Sequence, residues 1–308
     1  MKATGMTTKT TKTTKTVDTA LLRIAYDEWN PGAARSVVLL HGWPDSPRCW
    51  AAVAPALAQQ GWRVLVPALR GFAPTRFLRA DTPRTGQLSA LGRDLLEFVD
   101  ALGLRQPALV GHDWGARAAA NACGLRPGVA SHLVMLSVGY GTNSPDQTLS
   151  LAQARNYWYH WYMATPRGER SMREDRHAVT RLLWDTWTPA GWYDADEFAA
   201  TAQAFDNDDW PDITLHSYRH RWGHAAGDPA YAADEAALHP APVLDVPTLV
   251  LHGAADGANH PDTSAGKEHL FRSGCQRKVL DGIGHFPQRE APALVTAELL
   301  RFLATGST

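Results

Sequence analysis

Short apolar runs bounded by turn residues alternate along this chain with longer segments of helical period. Residues 37–40, 63–66, 108–110 and 133–138 read as buried strands, and residues 50–60, 87–102 and 116–125 have helical length and spacing. Strands alternating with helices predict the α/β class, a mostly parallel central sheet flanked by helices. From residue 143 to 238 the alternation stops, and helical, aromatic-rich sequence takes its place. Strand patterns resume at 247–252 and 278–280, and a helix at 291–302 closes the chain. One α/β core is therefore expected, residues 17–142 and 239–308, interrupted after about its sixth strand by a helical insertion, residues 143–238. Residues 1–16 repeat Lys and Thr with no apolar run and predict a disordered tail, with ordered sequence beginning near Leu21.

Composition narrows the function. With 30 Lys plus Arg against 31 Asp plus Glu, the chain has no general electrostatic reason to bind nucleic acid. The three cysteines, Cys49, Cys123 and Cys275, are too far apart for a CxxC metal knuckle and odd in number for a disulfide framework, which fits a reducing compartment. The N-terminal segment has neither the apolar run of a secretory signal nor the Arg-bearing amphipathic helix of a transit peptide. No run of about 18 apolar residues occurs, so no membrane span is expected and the predicted location is cytoplasmic.

Candidate chemistry gathers at the ends of predicted strands. Gly111-His112-Asp113-Trp114-Gly115 joins a strand to a small-residue helix in the pattern G-x-Nuc-x-G, with Asp113 in the nucleophile position. His41-Gly42-Trp43-Pro44 follows the strand at 37–40; such a turn can aim the Trp43 backbone N–H above the elbow, beside that of Trp114, as an oxyanion hole. His285, in Gly282-Ile283-Gly284-His285, is a candidate base. Asp256, just past the strand at 247–252, is placed to accept the imidazole N–H and fix its tautomer. The chain order is nucleophile, acid, base.

On these motifs the chain resembles the α/β-hydrolase superfamily, specifically its epoxide hydrolase branch. Gly111-His112-Asp113-Trp114-Gly115 is similar to that branch's elbow, His41-Gly42-Trp43-Pro44 to its HGxP motif, and the segment from Gly284 to Pro292 to its histidine segment. The resemblance implies an α/β-hydrolase fold with a helical cap carrying two tyrosines that hold and protonate the epoxide oxygen. Tyr159, seven residues before Pro166, falls on the first position; Tyr157 and Tyr162 share its segment and would serve in a shifted register. Leu215-His216-Ser217-Tyr218-Arg219-His220 resembles the second segment and implies Tyr218. Asp113 would then open the epoxide to a hydroxyalkyl ester, His285 with Asp256 would activate water against that ester, and a vicinal diol would leave. No cofactor or metal is implied.

Dehalogenases share the ester chemistry. Their haloalkane branch often has Asn where this chain has Trp43. Their fluoroacetate branch has a cation after the nucleophile, where this chain has Trp114, and His where it has Tyr159, although Arg117 matches an arginine of that branch. These differences favour a small, apolar, uncharged substrate bound by Trp43, Trp114, Tyr159 and Tyr218. A serine-type esterase is disfavoured, because carboxylate attack on an ester gives a mixed anhydride. A non-catalytic binder on this fold is the remaining alternative, and such receptors generally lose a triad member.

His216, His220 and His224 fall on one helical stripe, a spacing that can suit zinc, but Gly223 weakens the helix there and no carboxylate completes an evident set. If that stripe faces solvent, Tyr218 faces the core. Arg70-Gly71 reads as a structural turn, and Asp45 as either a neighbour of the oxyanion segment or a helix cap. Of 12 tryptophans, seven lie in the insertion with six tyrosines, predicting a dry, aromatic-walled site.

Overall fold

A computed structural model describes residues 11–144 and 146–304. Among the described residues nine strands form one sheet: β1 (Thr13–Asp18), β2 (Leu22–Trp29), β3 (Arg35–Leu40), β4 (Trp62–Pro67), β5 (Arg76–Phe77), β6 (Ala108–His112), β7 (His132–Leu136), β8 (Thr248–Gly253) and β9 (Cys275–Leu280). Their order is β1-β2-β4-β3-β6-β7-β8-β9, with the two-residue β5 on β2. Pairing from β4 through β9 is parallel, and β2 is antiparallel to both β1 and β4.

The inner parallel strands, β3, β4, β6, β7 and β8, are largely apolar on both faces because both faces are covered. Val37, Leu39, Val64, Val66, Val110 and Leu136 join one core with α1 (Val53–Gln59) and the last helix. Val38, Leu40, Leu65, Leu109, Leu133 and Met135 point the other way, toward α2 (Leu88–Ala101) and α3 (Trp114–Leu125). In α2, Leu91, Leu95, Phe98 and Val99 make a buried stripe at helical spacing, and the alanines of α3 let it approach closely.

Between β7 and β8 lie α4 (Leu151–Asn156), α5 (Trp158–Met163), α6 (Pro166–Glu174), α7 (Arg176–Trp187), α8 (Ala195–Ala202), α9 (Trp210–His220) and α10 (Ala232–Leu238). Local sequence starts three of them cleanly. Ser150, Thr165 and Asp194 each accept a backbone N–H of the first turn, with Pro166 at the start of α6. After β9, α11 (Pro287–Glu290) and α12 (Pro292–Leu303) complete the chain. No helix among the described residues is long and apolar enough to cross a membrane.

One expectation needs correction. The tail predicted for residues 1–16 ends early: Thr13 to Thr16 belong to β1, paired with β2 in the register Thr13↔Glu28 and Lys15↔Tyr26, while residues 1–10 lie outside the described residues. The segment lacks apolar residues, yet its β-branched threonines suit an edge strand, and Lys15 reaches the buried Glu28 at 2.5 Å, with Arg63 on the other oxygen at 2.7 Å. Edge pairing and a shared counter-ion replace the hydrophobic signal. The insertion accordingly follows the seventh strand, since β1, β2 and β5 join those read from the pattern.

Candidate active site

The four candidate motifs meet at the carboxyl ends of β3, β6, β8 and β9, where open parallel sheets place ligands. Asp113 occupies the single position between β6 and α3, at φ 47° and ψ −113°. A non-glycine residue in such a conformation costs about 1–3 kcal/mol and persists only where its surroundings impose it. Crowding supplies the constraint: a Cβ on Gly111 would lie 2.3 Å from the Gly115 carbonyl, and one on Gly115 would lie 2.4 Å from the Leu40 oxygen. Strand and helix therefore cross almost in backbone contact, and the Asp113 side chain is projected off the sheet edge.

The carboxylate meets the oxyanion segment directly. Its Oδ1 accepts the Trp43 backbone N–H at 3.0 Å. Trp114 opens α3, so its N–H is among the first-turn amides that have no partner inside the helix. His41 holds the Trp43 turn from below: its Nε2 accepts the Leu69 N–H at 3.0 Å and its Nδ1–H donates to the Gly42 carbonyl at 2.9 Å.

His285 and Asp256 form a buried pair, with the imidazole Nδ1 at 3.0 and 2.9 Å from the two carboxylate oxygens. With Nδ1–H donating, Nε2 carries a lone pair, and that atom is buried without a hydrogen-bond partner. Such a nitrogen is available to take a proton from water. Burial alone would raise the Asp256 pKa, but the His285 charge and the hydrogen bonds from His252 and His285 outweigh it and hold the carboxyl well below its ordinary range. Burial likewise works against a charged His285, and the Asp256 charge and hydrogen bond overcome it, raising the imidazole above 6.5. Asp256 thus stabilises the imidazolium that forms when a proton arrives.

Tyr159 (α5) and Tyr218 (α9) face each other across the Trp43 ring. Tyr159 stacks on Trp43 at 5.8 Å and 12°, Tyr218 meets Trp43 edge-on at 4.9 Å, and the two phenols lie 5.3 Å apart. The Tyr218 hydroxyl accepts the Trp114 indole N–H at 3.2 Å, leaving its own proton to donate. Burial, aided by the Asp113 charge, pushes both phenols well above their usual pKa, so both stay protonated. The neighbouring candidates are engaged elsewhere. The Tyr157 hydroxyl lies between Asn259 Oδ1 at 2.7 Å and Asn143 Oδ1 at 2.9 Å, with its one proton shared between them, and Tyr162 exchanges a hydrogen bond with Ser171. Trp187 and Trp210 complete the wall around Trp43.

Several contributors carried no sequence signal. His252, four residues before Asp256, places Nε2 3.3 Å from Asp256 Oδ2, and the Ala258 and Asn259 N–H groups donate to Oδ1 at 2.8 Å. The His112 Nε2–H donates to the His285 carbonyl at 2.7 Å. Asp45 caps no helix and sits beside the oxyanion segment, its N–H donating to the Gly42 carbonyl at 3.2 Å, while Arg289 grips its carboxylate through Nε and Nη2, at 2.6 Å at the closest. The histidine stripe forms no metal cluster among the described residues. His216 accepts the Gly86 N–H and donates to Ala226, so it docks α9 on the core instead of facing solvent, and Tyr218 still turns inward.

His41 and His112 make the fold acid-sensitive. Burial pushes each imidazole down to about 4 from 6.5. The unfolded chain takes up these protons near pH 6.5 and the folded chain only near 4, so their contribution is complete above 6.5 and lost as pH falls through that window. His285 works oppositely, because its raised pKa favours the folded state at low pH. Urea unfolding is expected to show a fall of roughly 2–3 kcal/mol per buried neutral histidine between pH 7 and 4.5. A flat profile over that range would refute the assignment.

The family relationship agrees with this geometry. A family model of the alpha/beta hydrolase fold matches residues 35–292. Epoxide hydrolase A of Mycobacterium tuberculosis is 30% identical over 319 aligned positions, covering 93% of this chain and 96% of that protein. An epoxide hydrolase of Caballeronia sordidicola is 27% identical and covers 99% and 98% of the two chains. The crystal structure of a candidate epoxide hydrolase from Klebsiella pneumoniae superposes with a TM-score of 0.87 at 37% identity, covering 94% of this chain and 96% of that one. With the nucleophile elbow, the strand order and these relatives in agreement, the chain belongs to the α/β-hydrolase family, in its epoxide hydrolase-like branch.

Proposed function

We propose that this enzyme hydrolyses epoxides to vicinal diols through a covalent ester on Asp113. The observation that carries the reading is the position of Trp43, whose N–H binds the Asp113 carboxylate while its ring touches both Tyr159 and Tyr218. A carboxylate nucleophile and two protonated phenols thus gather around one tryptophan. An epoxide needs both at once, because ring strain is released only if carbon is attacked while the poor alkoxide leaving group receives a proton.

Asp113 attacks a ring carbon, the C–O bond breaks, and a tyrosine proton passes to the oxygen. The resulting hydroxyalkyl ester is attacked at its carbonyl carbon by water, whose proton goes to His285 Nε2. Charge builds on the ester oxygen beside the Trp43 and Trp114 N–H groups. Collapse breaks the acyl C–O bond of the ester; the departing alkoxide takes the proton of the newly formed Asp113 carboxyl, the His285 imidazolium returns its proton to the tyrosinate, and the diol leaves with Asp113, His285 and the tyrosine restored. The reacting end of the substrate is apolar and lies among Trp43, Trp114, Tyr159 and Tyr218, and residues 143–238 act as the cap that excludes water from it.

The His285→Gln protein, incubated with an epoxide such as styrene oxide, is expected to gain the mass of one epoxide on the peptide containing Asp113, because ester formation proceeds and its hydrolysis stops. An adduct from haloacids but from no epoxide would assign a dehalogenase. No adduct from either class would assign a binder.

A further inference from the structure

A cavity of about 550 Å³ is bounded by α3, the loop after β7, α9 and α10, and one residue of its wall, Arg221, packs over the Tyr218 and Trp114 rings. Two arginines line it, Arg117 and Arg221, respectively 6% and 5% exposed. Other arginines of comparable burial have carboxylate partners: Arg70 holds Asp94 at 2.5 Å and Arg289 holds Asp45 at 2.6 Å. Arg117 and Arg221 form no ion pair with any described residue. Arg117 donates through Nη1 to the Thr142 carbonyl and hydroxyl, at 3.2 and 3.1 Å, and its Nε is buried without a partner. Arg221 donates to the Ser217 carbonyl and hydroxyl of its own helix and lies over the Tyr218 ring at 4.4 Å. Burial, with the Arg117 charge adding to it, pushes the Arg221 pKa down. A buried charge without a paired counter-ion is costly, and the carboxylates nearest these two, Asp113 and Glu235, are hydrogen-bonded to Trp43 and to Ser89 and Gln87 instead of to either arginine, so the cavity has cationic donors to offer a further anion.

Their positions in the chain place that anion close to the chemistry. Arg117 lies four residues after the nucleophile, its N–H bonded to the Asp113 carbonyl, and Arg221 lies three residues after Tyr218. Each cation is thus about one helical turn beyond a reacting group. The lining limits the ligand further. Leu88, Ala120, Met135, Leu238 and Pro240 are apolar, and Glu235, held by Ser89 and Gln87, adds a negative charge that disfavours a dianion.

We propose that this cavity is a carboxylate subsite, and that the preferred substrates are epoxides bearing one carboxylate on a short aliphatic chain. The proposal rests on the epoxide hydrolase reading for the reacting end only. It replaces a wholly uncharged substrate with one that is apolar at the ring and acidic at the far end.

The test compares an epoxy carboxylic acid with its isosteric primary amide, by kcat/KM in the intact protein, and binding of hexanoate with hexanamide by calorimetry. The acid is expected to be preferred by about 100-fold, the magnitude of two charged hydrogen bonds. In Arg117→Met and Arg221→Met the acid-to-amide ratio should fall by about tenfold each, with partial recovery in Arg117→Lys. The hexanoate titration needs no variant, so a misfolded substitution does not remove the test. Equal turnover of acid and amide, with no hexanoate binding, overturns the subsite and leaves the epoxide hydrolase reading standing. Hexanoate binding with halide release from 2-halo acids, and no turnover of any epoxide, keeps the subsite and overturns that reading.

Discussion

The Asp113→Asn protein is expected to turn over no epoxide, with kcat lower by about 10⁴-fold or more. The amide oxygen can still accept the Trp43 N–H that now reaches Oδ1, and asparagine tolerates positive φ better than other replacements. The fold and the oxyanion geometry are therefore kept while the nucleophile is removed, so the loss reports chemistry. Stopped assays on freshly purified protein, with intact-mass measurement, check it. Activity that grows with a mass change from amide to acid signals regeneration of aspartate. Retention of a tenth of wild-type activity by protein that is still asparagine would exclude a covalent route through Asp113.

Removing both phenols in Tyr159→Phe/Tyr218→Phe is expected to slow ester formation by about 10³-fold, within the usual contribution of a positioned general acid. Each single replacement should cost much less than its share, because the rings lie 5.3 Å apart and either hydroxyl can reach one oxygen. Tyr218→Phe should be the more damaging single change, since it also leaves the Trp114 indole N–H without its acceptor. Single-turnover measurement of adduct formation separates this step from ester hydrolysis, which His285 and Asp256 serve and which should be unchanged. A double variant that forms the adduct at the wild-type rate would remove the tyrosines from the mechanism.

The legible part of the site was the part set by local backbone geometry. Gly111 and Gly115 signal a turn in which strand and helix nearly touch, so Asp113 could be singled out from a five-residue pattern. The buried runs of β3, β4, β6, β7 and β8 were legible because both faces are covered and each strand carries a run of consecutive apolar positions. β1 was not, because its sequence is almost wholly polar and it is held by edge pairing along β2, where Lys15 meets Glu28 13 positions away. His252 was equally silent. Its contact with Asp256 is one of four donors converging on a carboxylate, and no spacing rule distinguishes it from an ordinary buried histidine.

Asp45 and Arg117 show the same limit from the side of charge. Each was visible in the sequence, but the meaning of each depends on whether a buried counter-ion stands opposite. Asp45 has Arg289, 244 residues away, and is thereby a structural ion pair. Arg117 has no carboxylate and shares a cavity with Arg221, 104 positions later, a relation created only when α3 and α9 pack together. The sequence by itself determined the α/β alternation, the tight turn at Asp113, the placing of Asp113, Asp256 and His285 at strand ends, and the aromatic richness of the insertion, because backbone sterics and burial period are local properties. Tertiary structure decided between Tyr159 and its neighbours Tyr157 and Tyr162, and which buried charges have an ion-pair partner and which do not, because those depend on distances between elements that contact one another only after the chain has folded.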